Sequence, residues 1–277
     1  MPTPRRRAAA QHAPHPNRLT SSEPLRRPSS GERERVSFRQ VWRDLLFLHW
    51  EVRPDAVAGL FPPGTRPDVI DGRTFVGLVF FEMRDLSFSR GPALPVIGRF
   101  PEINVRLYSV DDSGRRGVVF LSLDCARLLP TLAARTAYGL PYRWSSARRL
   151  RFGDRLLYTA RRRGPSGAHS RVWAAVKGEE RHPGPLDDFL TARWGLHAHA
   201  WGRTYYWPLH HDPWQLREVD LLAWEDGFVS AATGLAVTDG PPASALYSPG
   251  LPVRFGIPFR VGPADTRARP ISASRRP

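Results

Sequence analysis

Apolar positions in this chain recur mainly in short runs in which polar and apolar residues alternate. Such runs, when rich in β-branched and aromatic residues, predict half-buried β-strands. In the first half of the chain they predict strands at residues 46–52, 74–83, 103–110 and 118–123. The Asp-Asp-Ser-Gly sequence at 111–114 joins the last two runs and predicts a hairpin turn.

The second half continues this pattern, with only short helical segments. Further strands are predicted at residues 150–152, 155–162, 170–176, 197–209, 214–224 and 254–260. Helices are predicted at 128–137, before Gly139, at 187–194, with acidic residues in its first turn, and within 226–237. Few helices and no alternation of strands with helices predict a β-rich α+β domain built on an antiparallel sheet.

Positive charge is concentrated at the two ends of the chain. Residues 1–40 carry nine Arg against three Glu, and residues 262–277 carry four Arg against one Asp. Because these segments hold few large apolar side chains, we predict disordered tails around a single domain at 41–261. The tails could hold nucleic acid through its phosphates. We disfavour that partner because no aromatic side chains interleave the arginines to stack on bases.

Other sequence features narrow the location and the cofactors. Cys125 is the only cysteine, so an internal disulfide is excluded, and we interpret it as a small buried side chain. No stretch is long and apolar enough to span a membrane, and no secretory signal is recognisable. These features predict a cytoplasmic protein without a membrane partner. No phosphate-binding loop or dinucleotide fingerprint is present, so no cofactor is predicted.

Several short motifs punctuate the predicted strands. They are residues 47–50 (Phe-Leu-His-Trp), 100–106 (Phe-Pro-Glu-Ile-Asn-Val-Arg), 138–143 (Tyr-Gly-Leu-Pro-Tyr-Arg), 188–194 (Asp-Phe-Leu-Thr-Ala-Arg-Trp), 211–214 (His-Asp-Pro-Trp) and 247–250 (Tyr-Ser-Pro-Gly). In this order they resemble the YqjF-like family of bacterial proteins, a relative of acetoacetate decarboxylase. The resemblance covers about residues 41–261 and implies a closed β-barrel with an internal ligand pocket. It also makes a homo-oligomer an option, because related barrels oligomerise.

The resemblance also shows where this sequence departs from the decarboxylase. There the corresponding turn reads Gly-Phe-Pro-Lys-Lys, and a lysine in it forms the Schiff base. Tyr142 and Arg143 occupy those two places here. A phenol cannot form an imine, and a guanidinium stays protonated, so we do not expect decarboxylation by this route. Lys177, the only lysine, follows a predicted strand and precedes two glutamates, which would not lower its pKa.

Glu102 and Arg106 are the first candidate site residues. Together with Asn104 they occupy alternate positions of one predicted strand and should therefore point to the same face. The resemblance matches Glu102 to a pocket glutamate of the decarboxylase family, which implies a general acid or base. The alternative is a structural ion pair between Glu102 and either Arg106 or Arg143.

Tyr142, Arg143 and His49 are the remaining ligand candidates. A phenol can donate a hydrogen bond to a carbonyl and a guanidinium can hold a carboxylate, which suits a small oxo- or hydroxy-acid. Because side chains alternate along a strand, we expect only Tyr142 to face the interior. His49 lies between Leu48 and Trp50, where a core histidine bonded to a backbone carbonyl is the more common arrangement.

Three further histidines raise the question of a metal. His197 and His199 lie two residues apart on a predicted strand, and His211 follows them. This set could bind zinc or iron, but its spacing has no sharp signature. We predict no metal and keep these residues as a weaker alternative.

The leading hypothesis is that the chain binds a small organic acid in a barrel pocket without Schiff-base chemistry. Glu102 and Tyr142 are the candidate catalytic residues, and Arg106, Arg143 and His49 are the candidate ligand contacts. The alternative is a lyase or isomerase in which Glu102 transfers a proton and Tyr142 or Arg143 polarises the carbonyl. A nucleic-acid-associated protein acting through its tails is the third hypothesis.

Overall fold

The computed structural model describes residues 36–88, 91, 99–127, 139–165 and 167–262. The strands are β1 (Val36–Val52), β2 (Thr65–Pro67), β3 (Thr74–Phe88), β4 (Phe100–Asp111), β5 (Arg116–Cys125), β6 (Tyr142–Phe152), β7 (Arg155–Arg162), β8 (His169–Arg181), β9 (Gly195–Ala200), β10 (Arg203–His210), β11 (Leu216–Asp226), β12 (Ser244–Gly256) and β13 (Phe259–Arg260). The α-helices are α1 (Pro54–Val57), α2 (Pro185–Thr191) and α3 (Phe228–Thr233). The predicted β-rich class is confirmed. In this described part of the chain, no helix has the length and apolar character needed to cross a membrane.

The strands form one sheet, in the order β13-β10-β9-β5-β6-β7-β8-β11-β12-β1-β3-β4-β2. Two additional pairings, β10 with β12 and β5 with β4, join strands that are distant in this order. Most pairs are antiparallel, as predicted, but β5 pairs in parallel with both β6 and β9. Parallel neighbours need a long connection, and the chain between β5 and β6 provides one.

The folded domain begins earlier in the chain than residue 41, where the sequence analysis predicted it to begin. Residues 36–40, which we predicted to belong to the tail, form the first part of β1, where Val36 lies opposite Gly256. This segment is held partly by Phe38, whose ring stacks on Phe255 with the centroids 4.2 Å apart. The rest of the predicted tails, residues 1–35 and 263–277, and the predicted helix at 128–137 lie outside the described residues.

Several other predicted elements have different bounds. The strand predicted at 254–260 is the end of β12 followed by β13. The single strand predicted at 197–209 is two strands, joined by a turn in which Trp201 and Gly202 both have positive φ. Such a turn reverses the chain within two residues. The helix predicted at 187–194 begins earlier, at Pro185, because proline is favoured at the first helical position. The strand predicted at 150–152 begins at Tyr142, since the exposed arginines of β6 hide its apolar alternation.

Strands β1, β3 and β4 are buried on both faces and separate two hydrophobic cores. The first core includes Phe47, Val79, Phe81, Tyr108, Phe189 and Trp214. The second core includes Leu46, Leu48, Leu78, Phe80, Ile103 and Val105. Because neighbouring residues on a strand point to opposite faces, the odd-numbered positions of β3 face the first core and the even-numbered positions face the second. On β4 the even-numbered Phe100 and Tyr108 face the first core and the odd-numbered Ile103 and Val105 face the second, so the even-numbered polar residues of β4 project into the first core.

Candidate functional site

A row of polar side chains lies along β4 inside the first core. Glu102, Asn104 and Arg106 are 2%, 2% and 6% exposed, and Tyr108 continues the row. The shared face expected for these residues is confirmed. Since the rest of this core is aromatic and aliphatic, the row is a polar strip in an otherwise apolar interior.

Glu102 is a buried carboxyl group with an unused oxygen. Burial raises the pKa of Glu102 to about 8, although hydrogen bonds from Asn104 and Tyr142 act in the opposite direction. In the amide orientation that satisfies both side chains, the nitrogen of Asn104 donates to Glu102 Oε1 at 3.0 Å. Among the described residues, Oε2 has no hydrogen-bond partner. The carboxyl group is therefore mostly protonated at neutral pH and can make a further hydrogen bond.

Tyr142 and Arg143 point in different directions. Tyr142 is half-buried against the first core, and its hydroxyl group interacts with the carboxyl group of Glu102. Burial, followed by the charges of Glu102 and Cys125, raises the pKa of the Tyr142 phenol well above its ordinary value. Arg143 is exposed, so it does not line the interior that Glu102 occupies. The proposed contact of Arg143 with an internal ligand has no support in this geometry.

His49 lies in the same interior, two strands away from Arg106. In the strand register His49 is opposite Gly77 of β3, and Gly77 is opposite Arg106 of β4. A Cβ atom on Gly77 would lie 3.1 Å from His49 Cδ2 and 3.2 Å from Arg106 Cγ. The glycine thus lets the imidazole and the stem of the arginine approach each other across β3.

The imidazole of His49 is neutral and makes no hydrogen bond within the described part of the chain. Its side chain is fully buried, and burial together with the charge of Arg106 lowers the pKa of His49 well below its ordinary value. Neither ring nitrogen is bonded to any described residue. The common arrangement of a core histidine bonded to a backbone carbonyl is therefore not found.

Arg106 carries a positive charge into the first core. Its Nη2 donates to the carbonyl oxygen of Leu190 at 2.8 Å, and Tyr108 Oη donates to the same oxygen at 3.0 Å. The guanidinium also lies 5.5 Å from the centre of the Phe47 ring. In the described part of the chain Arg106 has no ion pair, so the alternative of a structural pair between Glu102 and Arg106 is not supported.

Arg193 and Asp68 border this interior and were not predicted. The buried guanidinium of Arg193 forms an ion pair with Asp68 and lies 4.9 Å and 4.4 Å from the ring centres of Tyr108 and Phe189. Its Nη2 has no hydrogen-bond partner among the described residues. The motif at 188–194 contained Arg193, but only the fold reveals its partner.

The three histidines of the metal alternative have separate environments. His197 is buried, with Nδ1 2.8 Å from Ser109 Oγ and Nε2 3.5 Å from Asp111 Oδ2. His199 is exposed, and His211 is bonded to two backbone carbonyls. Within the described ranges, no group of three or more His, Cys, Asp or Glu side chains is arranged to hold a metal ion.

Lys177 lies on the exposed part of β8, as expected. Its ammonium nitrogen is 3.2 Å from Asp220 Oδ1 and 3.5 Å from Glu218 Oε2, and these carboxylates raise the pKa of Lys177. A Schiff-base amine needs the opposite shift, towards a neutral amine near working pH. The environment of Lys177 therefore disfavours that role.

The sequence matches the DUF2071 family, described as an uncharacterized conserved protein, over residues 39–252. The uncharacterized protein YqjF of Bacillus subtilis (strain 168) is 31% identical over 187 residues, which are 66% of this chain and 76% of YqjF. Acetoacetate decarboxylase from Legionella pneumophila superposes with a TM-score of 0.58 at 13% identity, covering 87% of this chain and 97% of that one. The enduracididine biosynthesis enzyme MppR, complexed with the condensation product of pyruvate and imidazole 4-carboxaldehyde, gives 0.53 at 14% identity, covering 91% and 98%.

The sequence match covers most of the chain, whereas the structural likenesses, at such low identity, bear on the fold alone. The chain belongs to the DUF2071 family, and its fold is similar to that of acetoacetate decarboxylase.

Proposed function

We propose that this protein binds a small oxo- or hydroxy-acid in the first core without forming a Schiff base. The proposed site is the interior of a closed β-barrel. Its ring would run through β12, β1, β3, β4, β5, β9 and β10, each of which pairs with the next, and β10 pairs back to β12. This circuit of pairings supports the closed barrel that the resemblance implied.

The observation that carries the proposal is the unused hydrogen-bonding capacity inside an apolar core. Glu102 Oε2 and both ring nitrogens of His49 have no partner among the described residues, and the described acidic side chains leave Arg106 unneutralised. Leaving a buried polar group unbonded costs about 1–3 kcal/mol, so most such groups are paired in folded proteins. A bound ligand that supplies both donors and acceptors would remove this cost.

The polar groups match the two ends of an oxo-acid. A carboxylate would bind to the Arg106 guanidinium, and a carbonyl or hydroxyl group would bind to the protonated Glu102 carboxyl and the Tyr142 phenol. Residues four apart along a strand have Cα atoms about 13 Å apart, so a chain of several carbons would reach both ends better than pyruvate does. The MppR structure, whose bound molecule derives from pyruvate, supports oxo-acids as the first class to test.

Calorimetric titration of the full chain with pyruvate and with a six-carbon 2-oxo-acid tests the proposal. The critical variant is Arg106→Met, and the matched control is Arg143→Met, which removes an exposed guanidinium from the motif at 138–143. We expect Arg106→Met to weaken binding by about tenfold or more, and the control to bind as the wild type does. Absence of binding for both acids at millimolar concentration, or equal losses in both variants, would contradict the proposal.

Because Arg106 also bonds to Leu190, a loss of binding needs a check on folding. A loss of binding in Arg106→Met is evidence for a lost ligand contact only if the thermal unfolding of this variant remains cooperative. Tyr142→Phe provides a second route, since it removes the hydroxyl group that contacts Glu102 and keeps the ring. It should also weaken binding of the six-carbon acid.

The absence of a Schiff base has its own test. Borohydride reduction in the presence of pyruvate converts an imine to a stable amine, which mass spectrometry detects as an added mass. We expect no such adduct with wild-type protein. An adduct that is lost in Lys177→Arg would contradict this part of the proposal and identify Lys177 as the reacting amine.

A lyase or isomerase is the second candidate, favoured by one specific observation. With its pKa raised to about 8, Glu102 can both hold and release a proton near neutral pH, as a general acid or base must. Exchange of the hydrogens next to the carbonyl of a bound oxo-acid in D2O, followed by NMR, would reveal proton abstraction. Exchange that is lost in Glu102→Gln, with affinity retained, would select the enzyme.

Three expectations remain predictions from the sequence. They are a cytoplasmic location, the option of a homo-oligomer, and tails that do not bind nucleic acid. The third concerns segments that lie mainly outside the described residues. Salt-dependent binding of nucleic acid that disappears when both tails are removed would reverse that preference.

A further inference from the structure

Arginine side chains dominate a surface pocket that is separate from the first core. The pocket has a volume of about 400 Å³. Its lining comprises four arginines with one carboxylate and one phenol, namely Arg43, Arg84, Arg151, Arg217, Asp44 and Tyr247. Tyr247 also begins the motif at 247–250, to which the proposed ligand site gives no role.

The carboxylates in and beside this pocket already form ion pairs with arginines other than Arg43 and Arg217. Asp44 forms ion pairs with Arg149 and Arg151. Glu82, which lies beside the pocket, forms ion pairs with Arg84 at 2.6 Å, Arg99 at 2.7 Å and Arg149 at 3.0 Å. Asp44 and Glu82 together thus carry two negative charges against the four positive charges of their arginine partners. Arg43 and Arg217 add further positive charge to the pocket.

Arg43 and Arg217 supply the uncompensated charge. Neither side chain has a hydrogen bond or ion pair with any described residue. The strand register places Arg217 of β11 opposite Tyr247 of β12, and Arg43 of β1 opposite Gly250 of β12. The two guanidinium groups therefore approach the pocket from the two sides of one strand.

Irregular backbone fixes the shape of the pocket. Asp44 has φ 51° and Asp85, next to Arg84, has φ 54°, a region that non-glycine residues seldom adopt. Gly250 has φ 98°, and a Cβ atom there would lie 1.8 Å from the Trp42 carbonyl oxygen. Asp44 is held in place by Tyr158 Oη, which donates to its carbonyl oxygen at 2.7 Å, and by Tyr247 Oη, which donates to its carboxylate at 2.8 Å. Such locally costly backbone persists where the surrounding structure enforces it, often at functional sites.

We propose that this pocket binds a doubly charged oxyanion, specifically a phosphate group. Guanidinium groups match the geometry of phosphate oxygens, and two unpaired ones can neutralise a dianion. A pocket of this volume also has room for a small molecule attached to the phosphate. Free phosphate and a phosphate monoester would both be recognised in this way. The relative affinities of the protein for the two ligands distinguish between them.

The test is calorimetric titration of the full chain, at fixed ionic strength, with inorganic phosphate, glycerol phosphate and acetate. The variants are Arg43→Gln and Arg217→Gln, singly and together. The matched control is Arg171→Gln, which removes an exposed arginine of β8 that has no ion pair with any described residue. Charge in the tails is the same in all these proteins, so any difference between them reports on the altered side chain.

We expect wild type and the control to bind phosphate more tightly than acetate, and the double variant to lose about tenfold or more in phosphate affinity. Tighter binding of glycerol phosphate than of phosphate would indicate a phosphorylated small molecule, and equal affinity would indicate free phosphate. Absence of phosphate binding by wild type, unchanged phosphate binding in the double variant, or an equal loss in the control would each overturn the proposal. Oxo-acid binding should be unaffected by these variants, so the two proposals can fail separately.

Discussion

The carboxyl group of Glu102 and the phenol of Tyr142 interact with each other at the edge of the first core, and each shifts the pKa of the other. Tyr142 thus places a neutral hydrogen-bond donor beside a carboxyl group that is itself mostly protonated. This pair favours hydrogen bonding to a neutral oxygen of a ligand over covalent chemistry on it.

The raised pKa of Glu102 predicts a specific pH dependence of stability. In the unfolded chain this group titrates near 4.5, and in the folded protein at about 8. Between these values the folded state keeps a proton that the unfolded state has released. The contribution of Glu102 to stability is therefore greatest below pH 4.5 and falls as the pH rises to about 8, by up to about 1.4 kcal/mol per pH unit.

Glu102→Gln removes this dependence, because an amide does not titrate in that range. Denaturant unfolding at several pH values should give a smaller fall in the free energy of unfolding between pH 5 and pH 8 for the variant than for wild type. Glu179→Gln, which changes an exposed glutamate of β8, should follow wild type. Parallel curves for wild type and Glu102→Gln would show that Glu102 has an ordinary pKa.

His49→Leu separates stability from ligand binding. Both ring nitrogens of His49 are buried without a partner among the residues that the structure describes, so an apolar side chain of similar size removes an unsatisfied group. We expect the free energy of unfolding to stay constant or to rise by about 1 kcal/mol, while affinity for the oxo-acid falls. A gain in stability with a loss of function is typical of residues retained for binding.

The control for this variant is His182→Leu, which changes an exposed histidine and should leave binding intact. Chemical denaturation and titration measure the two effects separately. A loss of several kcal/mol in His49→Leu would show instead that the imidazole is a structural core residue.

Gly77→Ala tests the close approach of His49 and Arg106. The added methyl group would lie 3.1 Å from His49 Cδ2 and 3.2 Å from Tyr108 Oη, which is closer than ordinary contact. We expect a loss of about 1–3 kcal/mol in the free energy of unfolding, together with weaker oxo-acid binding. Gly178→Ala is the matched control, because this glycine also lies in a strand and has no atom within 4 Å of the added position. Equal stability of the two variants would mean that the packing around Gly77 is loose.

Local pattern was enough to predict part of this site. The alternation of Glu102, Asn104 and Arg106 placed them on one face, and the same rule separated Tyr142 from Arg143. The environment of His49 could not be predicted, because it depends on the register of three strands and on a glycine in the middle one. Register between strands is a property of the whole sheet and leaves no signal near His49 in the sequence.

The arginine pocket could not be predicted from the alternation of polar and apolar residues, because a bulge interrupts that alternation. The bulge around Asp44 changes the phase of β1, so that Trp42 and Leu45 both face the first core although they are three residues apart. A strict two-residue period would have placed them on opposite faces. The positions of Arg43 and Arg217 around one pocket follow from this bulge and from the neighbouring strand, and neither can be derived from the sequence near them.

Asp68→Asn tests the ion pair that borders the first core and that the sequence did not predict. Asp68 is 3% exposed and binds the guanidinium groups of both Arg193 and Arg116, the latter with Nε 2.7 Å from Oδ2. The substitution leaves Arg193 buried beside a neutral amide, and removing one partner of a buried pair typically costs about 3–5 kcal/mol. Denaturant unfolding should show a loss of this size. Asp71→Asn, at a largely exposed carboxylate 3.9 Å from Arg73, should cost under about 1 kcal/mol. If both variants lost equally little, the charge of Arg193 would be satisfied by other groups, and the first core would not depend on Asp68.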